Sequence, residues 1–319
     1  MKELKNKNHT TGRREFLSMI SAAAAMGLIG PTGVKGATPA DYQPGIKGQP
    51  ETPMPTITLG PHQISRLICG SNPLLGYSYM GSHTDRHMKE YFSAEKTVEL
   101  LLNCEKAGIT THQMSSRVDY IPLLRERDSK IKLICLNSEL EKIKETVGIV
   151  QPIAVVHHGG VTDRLFAAGT PNLVHDYVKA VKDTGLLAGV SAHNPDVIKQ
   201  IADEGWEVDF FMTCFYFLTR PMDKEKPMPA LPVGSYSFFR DDPKVMTQVI
   251  RQVKQPCLGF KILGAGRLCS SQESVRAAFK FAFENIKPTD GVIVGMFPWY
   301  FDEIGANAQY ARELGKSSG

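Results

Sequence analysis

From residue 66 onward the chain alternates two kinds of hydrophobic pattern. Short continuous apolar runs at 66–69, 109–113, 131–136 and 152–156 have strand length and no polar alternation, as expected of strands buried on both faces. Between them, apolar residues recur at helical spacing. Val98, Leu101, Leu102 and Ala107 follow Ser93 and stop at Gly108, and Asn194-Pro195 supplies an N-cap and first position for a helix over 195–204. Shorter helical segments fall near 121–127 and 139–147. Later runs at 187–191, 208–214, 257–263 and 291–295, with helices at 171–183, 243–254, 271–285 and 301–314, complete eight strands and eight helices. A hairpin over 56–65, turning at Gly60-Pro61, precedes the first of these strands, and residues 74–92 read as a long polar-aromatic loop. The pattern predicts an α/β fold, a (β/α)8 TIM barrel spanning 55–315. A doubly wound open sheet is the competing architecture, but no Gly-x-Gly-x-x-Gly follows the first strand.

The N-terminus follows neither pattern. Thr11-Gly12-Arg13-Arg14-Glu15-Phe16-Leu17 leads into an apolar stretch from Met19 to Ile29 and then small residues, which resembles a twin-arginine export signal over 1–36. The stretch is too short and too rich in Ala and Gly for a membrane span. Residues 37–54, rich in Pro, Gly and Thr, read as a flexible leader. The expected partner is therefore the twin-arginine translocation machinery, and the expected location is the periplasm or beyond. A net charge of +4, much of it in the signal region, gives no reason to invoke nucleic acid. Six cysteines show no Cys-x-x-Cys spacing and no disulfide framework.

In α/β barrels, ligands bind where strands end. The run Pro152 to Val156 ends in His157-His158-Gly159-Gly160, and the strand pleat lets only one of the two imidazoles face a pocket.

The domain resembles the aldo-keto reductases over 56–312. The resemblance rests on Leu59-Gly60 to Ser65-Arg66-Leu67 with Gly70, on Ala107-Gly108-Ile109, on the strand ending in His157, on Lys182-Asp183-Thr184-Gly185 before Gly189-Val190-Ser191, and on Val292 to Gly295 with Asn307. It implies a barrel that reduces carbonyls with a nicotinamide hydride, using a tyrosine acid assisted by lysine, aspartate and histidine. The chain departs from that tetrad: Gln113 stands for the aspartate, Val118 falls near the tyrosine, Asn137 or its neighbour replaces the lysine, and His157 alone matches. Ser191 matches a serine that contacts the nicotinamide, with Ala192 where an asparagine is expected. After Gly295 the family's phosphate-binding cations are replaced by Met296-Phe297-Pro298-Trp299-Tyr300-Phe301, so weak NADPH binding or none is expected.

The strand ends then suggest a pocket of Gln113, Asn137, His157, Ser191, His193 and Lys261, walled by Tyr216 and Trp299. His157, Lys261 and Gln113 are the catalytic candidates; Asn137, Ser191, His193, Tyr216 and Trp299 would contact substrate. Lys261 ends the seventh strand and either pairs, loses its proton, or snorkels outward. His112, His157 and His193 invite a metal reading, but the pleat turns His112 away from Gln113, so no metal is expected. Amides, hydroxyls and aromatic faces suit a small carbonyl or carbohydrate substrate. A sugar-binding protein without catalysis is the alternative, and a metal-dependent hydrolase or isomerase a more distant one.

Replacing Arg13 and Arg14 together with lysine should leave the precursor in the cytoplasm with its leader uncleaved. Cell fractionation and immunoblotting read this, and normal maturation of the double mutant contradicts it.

Overall fold

The computed structural model describes residues 52–221 and 236–316. The expected signal peptide and nearly all of the leader lie outside the described residues. Two short strands, β1 (Thr56–Leu59) and β2 (His62–Ser65), pair antiparallel as the hairpin. Eight parallel strands follow: β3 (Leu67–Gly70), β4 (Thr111–Met114), β5 (Lys132–Asn137), β6 (Ala154–His157), β7 (Leu187–Ala192), β8 (Phe210–Cys214), β9 (Cys257–Phe260) and β10 (Gly291–Gly295). They form a closed barrel in chain order, with β10 returning to β3 so that Val292 lies opposite Leu67 and Gly295 opposite Gly70. The fold is a (β/α)8 barrel, as the alternation predicts.

The strand pleat divides the apolar residues into two layers. Ile68, Ile134, Ala154, Val156, Phe210, Met212, Leu258 and Ile293 fill the barrel interior. Ile57, Leu59 and Ile64 of the hairpin join them, so β1 and β2 plug the end at which the strands begin. Cys69, Met114, Cys135, Val155, Val190, Phe211 and Val294 point the other way, against the helices. The hairpin was legible as a hairpin; its role as a plug was not.

The helical layer comprises α1 (Ser82–Tyr91), α2 (Ala94–Lys106), α3 (Ile121–Glu126), α4 (Ile143–Val150), α5 (Gly159–Ala167), α6 (Asn172–Lys182), α7 (Pro195–Asp203), α8 (Asp242–Gln252), α9 (Gln272–Asn285) and α10 (Glu303–Leu314). Caps fix several starts. Ser93 Oγ accepts from the N–H of Lys96, Asn194 Oδ1 from that of Asp196, and Ser271 with Ser274 closes a reciprocal box.

Three elements depart from the sequence reading. Part of the expected loop 74–92 is α1, which buries none of its residues and so carries no apolar stripe to announce it. Helix α5 begins directly after His158 on two glycines, a start that composition reads as a loop. Strand β9 stops at Phe260, so Lys261 lies in a turn with a left-handed φ of 59° rather than inside an apolar strand.

Arg66 helps close the ring. Its guanidinium donates to the carbonyls of Asp290, Gly315 and Lys287 at 2.8, 2.7 and 2.9 Å, tying the start of β3 to the end of α10. Asp290 beside it is fully buried and accepts from the N–H groups of Cys257 and Lys287. Because the hairpin and these polar ties seal the strand starts, the opposite rim, where the strands end, is left for chemistry.

Candidate functional site

Where the pleat sends each strand's last residue decides what stands at this rim. On β6, Val155 belongs to the outer layer and Val156 to the inner, so His157 faces the helices. It is 2% exposed, lies 2.7 Å from Thr162 Oγ1 on α5, and sets its ring edge-on to Tyr177 of α6 at 4.8 Å. The Thr162 hydroxyl donates to the His158 carbonyl, so its lone pair receives His157 Nδ1–H. Burial, and then the neighbouring His158, hold His157 down to about 4, a neutral imidazole packed behind the strand. The expected orientation of the pair is therefore reversed: His158 stands at the mouth and is exposed to solvent.

Asn137, paired across the sheet with His157, follows it outward. Its amide donates to Thr146 Oγ1 of α4 at 3.0 Å and its oxygen accepts from the N–H of Glu139, so it braces a helix instead of lining a pocket. Gln113 does face inward, opposite Ile134. Its amide nitrogen donates to the Met114 carbonyl at 2.9 Å and reaches Ser71 Oγ at 3.4 Å. His112 faces outward, fixed between the Cys69 carbonyl and the Tyr120 hydroxyl at 3.0 Å each. The three histidines of the metal reading thus occupy separate places, and among the described residues no group of three or more potential ligands converges.

The titratable groups that influence one another at this rim are His158, His193, Lys261 and one residue the sequence did not single out, Asp163. Asp163 lies on α5 and is 5% exposed. Its Oδ2 accepts from the backbone N–H of His193 at 3.0 Å, from His193 Nδ1 at 3.0 Å and from the Thr219 hydroxyl at 2.9 Å, while Oδ1 accepts from Asn194 N–H at 3.3 Å. A carboxylate on Nδ1 leaves the lone pair of neutral His193 on Nε2. Burial, with Lys261 adding to it, lowers His193 below its ordinary value against the pull of Asp163. His158 is lowered too, first by partial desolvation of its ring and then by His193, Lys261 and Arg164, with Asp163 opposing. Both imidazoles are neutral near pH 7.

Gly159 makes the approach of the two walls possible. A β-carbon there would lie 2.8 Å from Ser191 Oγ and 3.3 Å from His193 Cε1. Ser191 is 1% exposed beneath this contact. The Phe260 ring links the remaining groups, meeting His193 edge-on at 5.6 Å and carrying Lys261 Nζ 4.7 Å from its centroid. Lys261 also lies 4.8 Å over the Tyr79 ring. Tyr216 is almost buried, tilted against Phe238 at 5.0 Å, and supports the turn after β9. Trp299 is in a different cluster, stacked on Phe297 and edge-on to His87 and Tyr91. It is not a wall shared with Tyr216. Two concavities lie elsewhere, one of about 40 Å³ between β8 and α8 and one of about 250 Å³ on the flank beside Trp206 and His175. Neither opens on the Asp163–His193 pair, and the convergence of titratable groups is the better guide to chemistry here.

No protein-family model matches the chain, and no curated protein matches its sequence. Solved structures do resemble the fold. An aldo-keto reductase of Bacillus halodurans, in its holo form, is 13% identical, with a TM-score of 0.50 over 83% of this chain and 97% of that one. The glycerol dehydrogenase of Gluconobacter oxydans is 10% identical, with a TM-score of 0.49 over 81% and 94%. A truncated 3-deoxy-D-arabino-heptulosonate 7-phosphate synthase of Thermotoga maritima is 10% identical, with a TM-score of 0.48 over 82% and 91%. The class defined is the (β/α)8 barrel with aldo-keto-reductase-like neighbours. At 13% identity the likeness to the reductase defines an architecture and not an activity.

The nicotinamide cofactor of the reductases does not fit the residues after β10. Phe297, Trp299, His87 and Tyr91 pack together there. The start of α10 is taken by two acids: Asp302 caps Gly305, and Glu303 accepts from the Phe297 N–H and is pushed up to about 7 by burial. A phosphate would meet carboxyl groups where it needs cations.

The histidine register gives a direct test. His157→Ala removes the bond to Thr162 and the contact with Tyr177, and should cost about 1–3 kcal/mol of stability. His158→Ala should leave the thermal midpoint nearly unchanged. Circular dichroism melts of both variants check this, and the opposite pattern would place β6 one residue out of register.

Proposed function

We propose that this chain is an exported enzyme that acts on a small hydroxylated carbonyl compound by moving a proton at the carbon beside the carbonyl. The observation that carries this reading is the Asp163–His193 pair, in which a buried carboxylate holds Nδ1 at 3.0 Å and leaves Nε2 as a base. A base with a lowered pKa stays unprotonated at neutral pH, as proton abstraction requires.

In this mechanism His193 Nε2 takes the proton from carbon and the electron pair moves onto the carbonyl oxygen. The resulting enediolate gains a hydrogen bond from the neutral imidazole of His158 and lies in the field of Lys261. Delivery of the proton to the neighbouring carbon, with the hydroxyl proton passing to the former carbonyl oxygen through His158, gives the isomer. Atoms and electrons balance without a redox partner. Export rests on the Arg13-Arg14 motif alone.

Proton exchange at carbon tests the reading before any product is known. Incubated in D2O with a panel of aldoses, ketoses and hydroxyketones, the protein should introduce deuterium into at least one, seen by mass spectrometry. His193→Ala should slow exchange by at least ~100-fold, and Asp163→Asn should slow it as well. Because His193 titrates below its ordinary value, the wild-type rate should rise with pH and level off before neutrality. Thermal stabilisation by a panel member without exchange would identify a binding protein instead, and exchange undisturbed in His193→Ala would place the base elsewhere.

A further inference from the structure

Several partly buried cations of this protein are paired with acids, while Arg66 and Arg312 are held by backbone carbonyls. Lys182 meets Asp209 at 2.8 Å, Arg220 meets Asp242 at 2.6 Å and Lys287 meets Asp290 at 3.2 Å. Partly buried Lys261 and exposed Arg267 differ. Both lie in the turn after β9, and among the described residues neither has a carboxylate partner. What they have instead is aromatic support. Lys261 Nζ rests over Tyr79 and Phe260, and the Arg267 guanidinium lies 3.8 Å from the Phe238 centroid. Arg267 donates to the carbonyls of Gly264 and Tyr79 at 3.2 and 3.1 Å, which fixes the plane of its fork and still leaves N–H donors uncommitted. Tyr79 therefore joins the two, with its ring under one cation and its carbonyl on the other.

The backbone adds an independent observation. Among the described residues, five that are not glycine have positive φ: Tyr79, Asp128, Gln151, Lys261 and Ala265. Asp128 and Gln151 end α3 and α4, an ordinary place for a left-handed residue. The other three lie at the mouth, and two of them, Tyr79 at 59° and Lys261 at 59°, are the residues in cation–ring contact. A bulky residue held in this region is strained, and such strain gathers where a side chain must be aimed. The one acid among the converging groups, Asp163, is occupied by His193, Asn194 and Thr219 and is not available to either cation.

We infer that Lys261 and Arg267 form an anion seat at the barrel mouth, and that the substrate is a hydroxylated carbonyl compound bearing an oxyanion, a phosphoester or a carboxylate. The inference of a substrate rests on the proton-transfer reading of the same mouth; the seat itself does not. Phe260 places the seat beside the base, since its ring touches both His193 and Lys261. An anion held there fixes the rest of the molecule within reach of Nε2. The planar fork of Arg267 matches two oxygens of one group, and Lys261 supplies a point charge.

Calorimetric titration with inorganic phosphate and, separately, with malonate tests the seat without any turnover. Wild-type protein should bind at least one of them saturably, and which one distinguishes a phosphoester from a carboxylate. Lys261→Met and Arg267→Gln should each weaken that binding by about tenfold or more, the loss expected for one charge-assisted contact. Arg267 is exposed, so Arg267→Gln folds; if Lys261→Met does not, Arg267→Gln compared with Arg267→Lys decides, with the lysine variant retaining part of the affinity. His193→Ala should hold the anion as the wild type does. Anion binding without deuterium exchange overturns the proton-transfer reading alone. No saturable binding of either anion, or binding unchanged in both cation variants, overturns the seat.

Discussion

A carboxylate withdrawn from water must be given donors from the protein, and Asp163 takes four from two other parts of the chain. The turn after β7 supplies two backbone N–H groups and the His193 ring, and the loop after β8 supplies the Thr219 hydroxyl. The same oxygens thus hold α5 to two neighbouring rim segments and set the tautomer of His193. Structure and chemistry are coupled at this residue. Removing the carboxylate would strand two backbone donors and free the imidazole to turn, whereas Asn at this position keeps the shape but cannot accept on both atoms.

The remainder of the barrel makes that arrangement possible. The interior is filled by apolar side chains and closed at the strand starts by Ile57, Leu59 and Ile64. Gly159 allows α5 to begin hard against Ser191 and His193. Phe260, the last residue of β9, is half in the interior and half at the mouth, and it carries both an imidazole and an ammonium on its ring. The cationic side of the mouth is held by aromatic faces instead of acids, which keeps its charge available to a ligand.

The architecture was legible because parallel barrel strands advertise themselves as uninterrupted apolar runs, and because Ser93, Asn194 and Ser271 are caps that read the same way in sequence and structure. The site was legible only in part. Gln113, Ser191 and His193 lie on the faces expected of them, but Asn137 and His157 do not, since an unbroken apolar run such as Ala154 to Val156 carries no alternation from which to set the register. Lys261 was read as a strand residue because nothing before it in Gly259-Phe260 signals a turn. Asp163 could not be foreseen: the helix that presents it opens on two glycines, and its partners are thirty or more residues away. The resemblance to the reductases aligns His157, not His158, with the histidine of the tetrad.

Nitrogen NMR of His193 in the selectively labelled protein examines the pair itself. At neutral pH the ring should be neutral with the proton on Nδ1 and Nε2 bare, and it should titrate below the ordinary imidazole value of 6.5. A proton on Nε2 at neutral pH, or titration above that value, would contradict the assignment of His193 as the base.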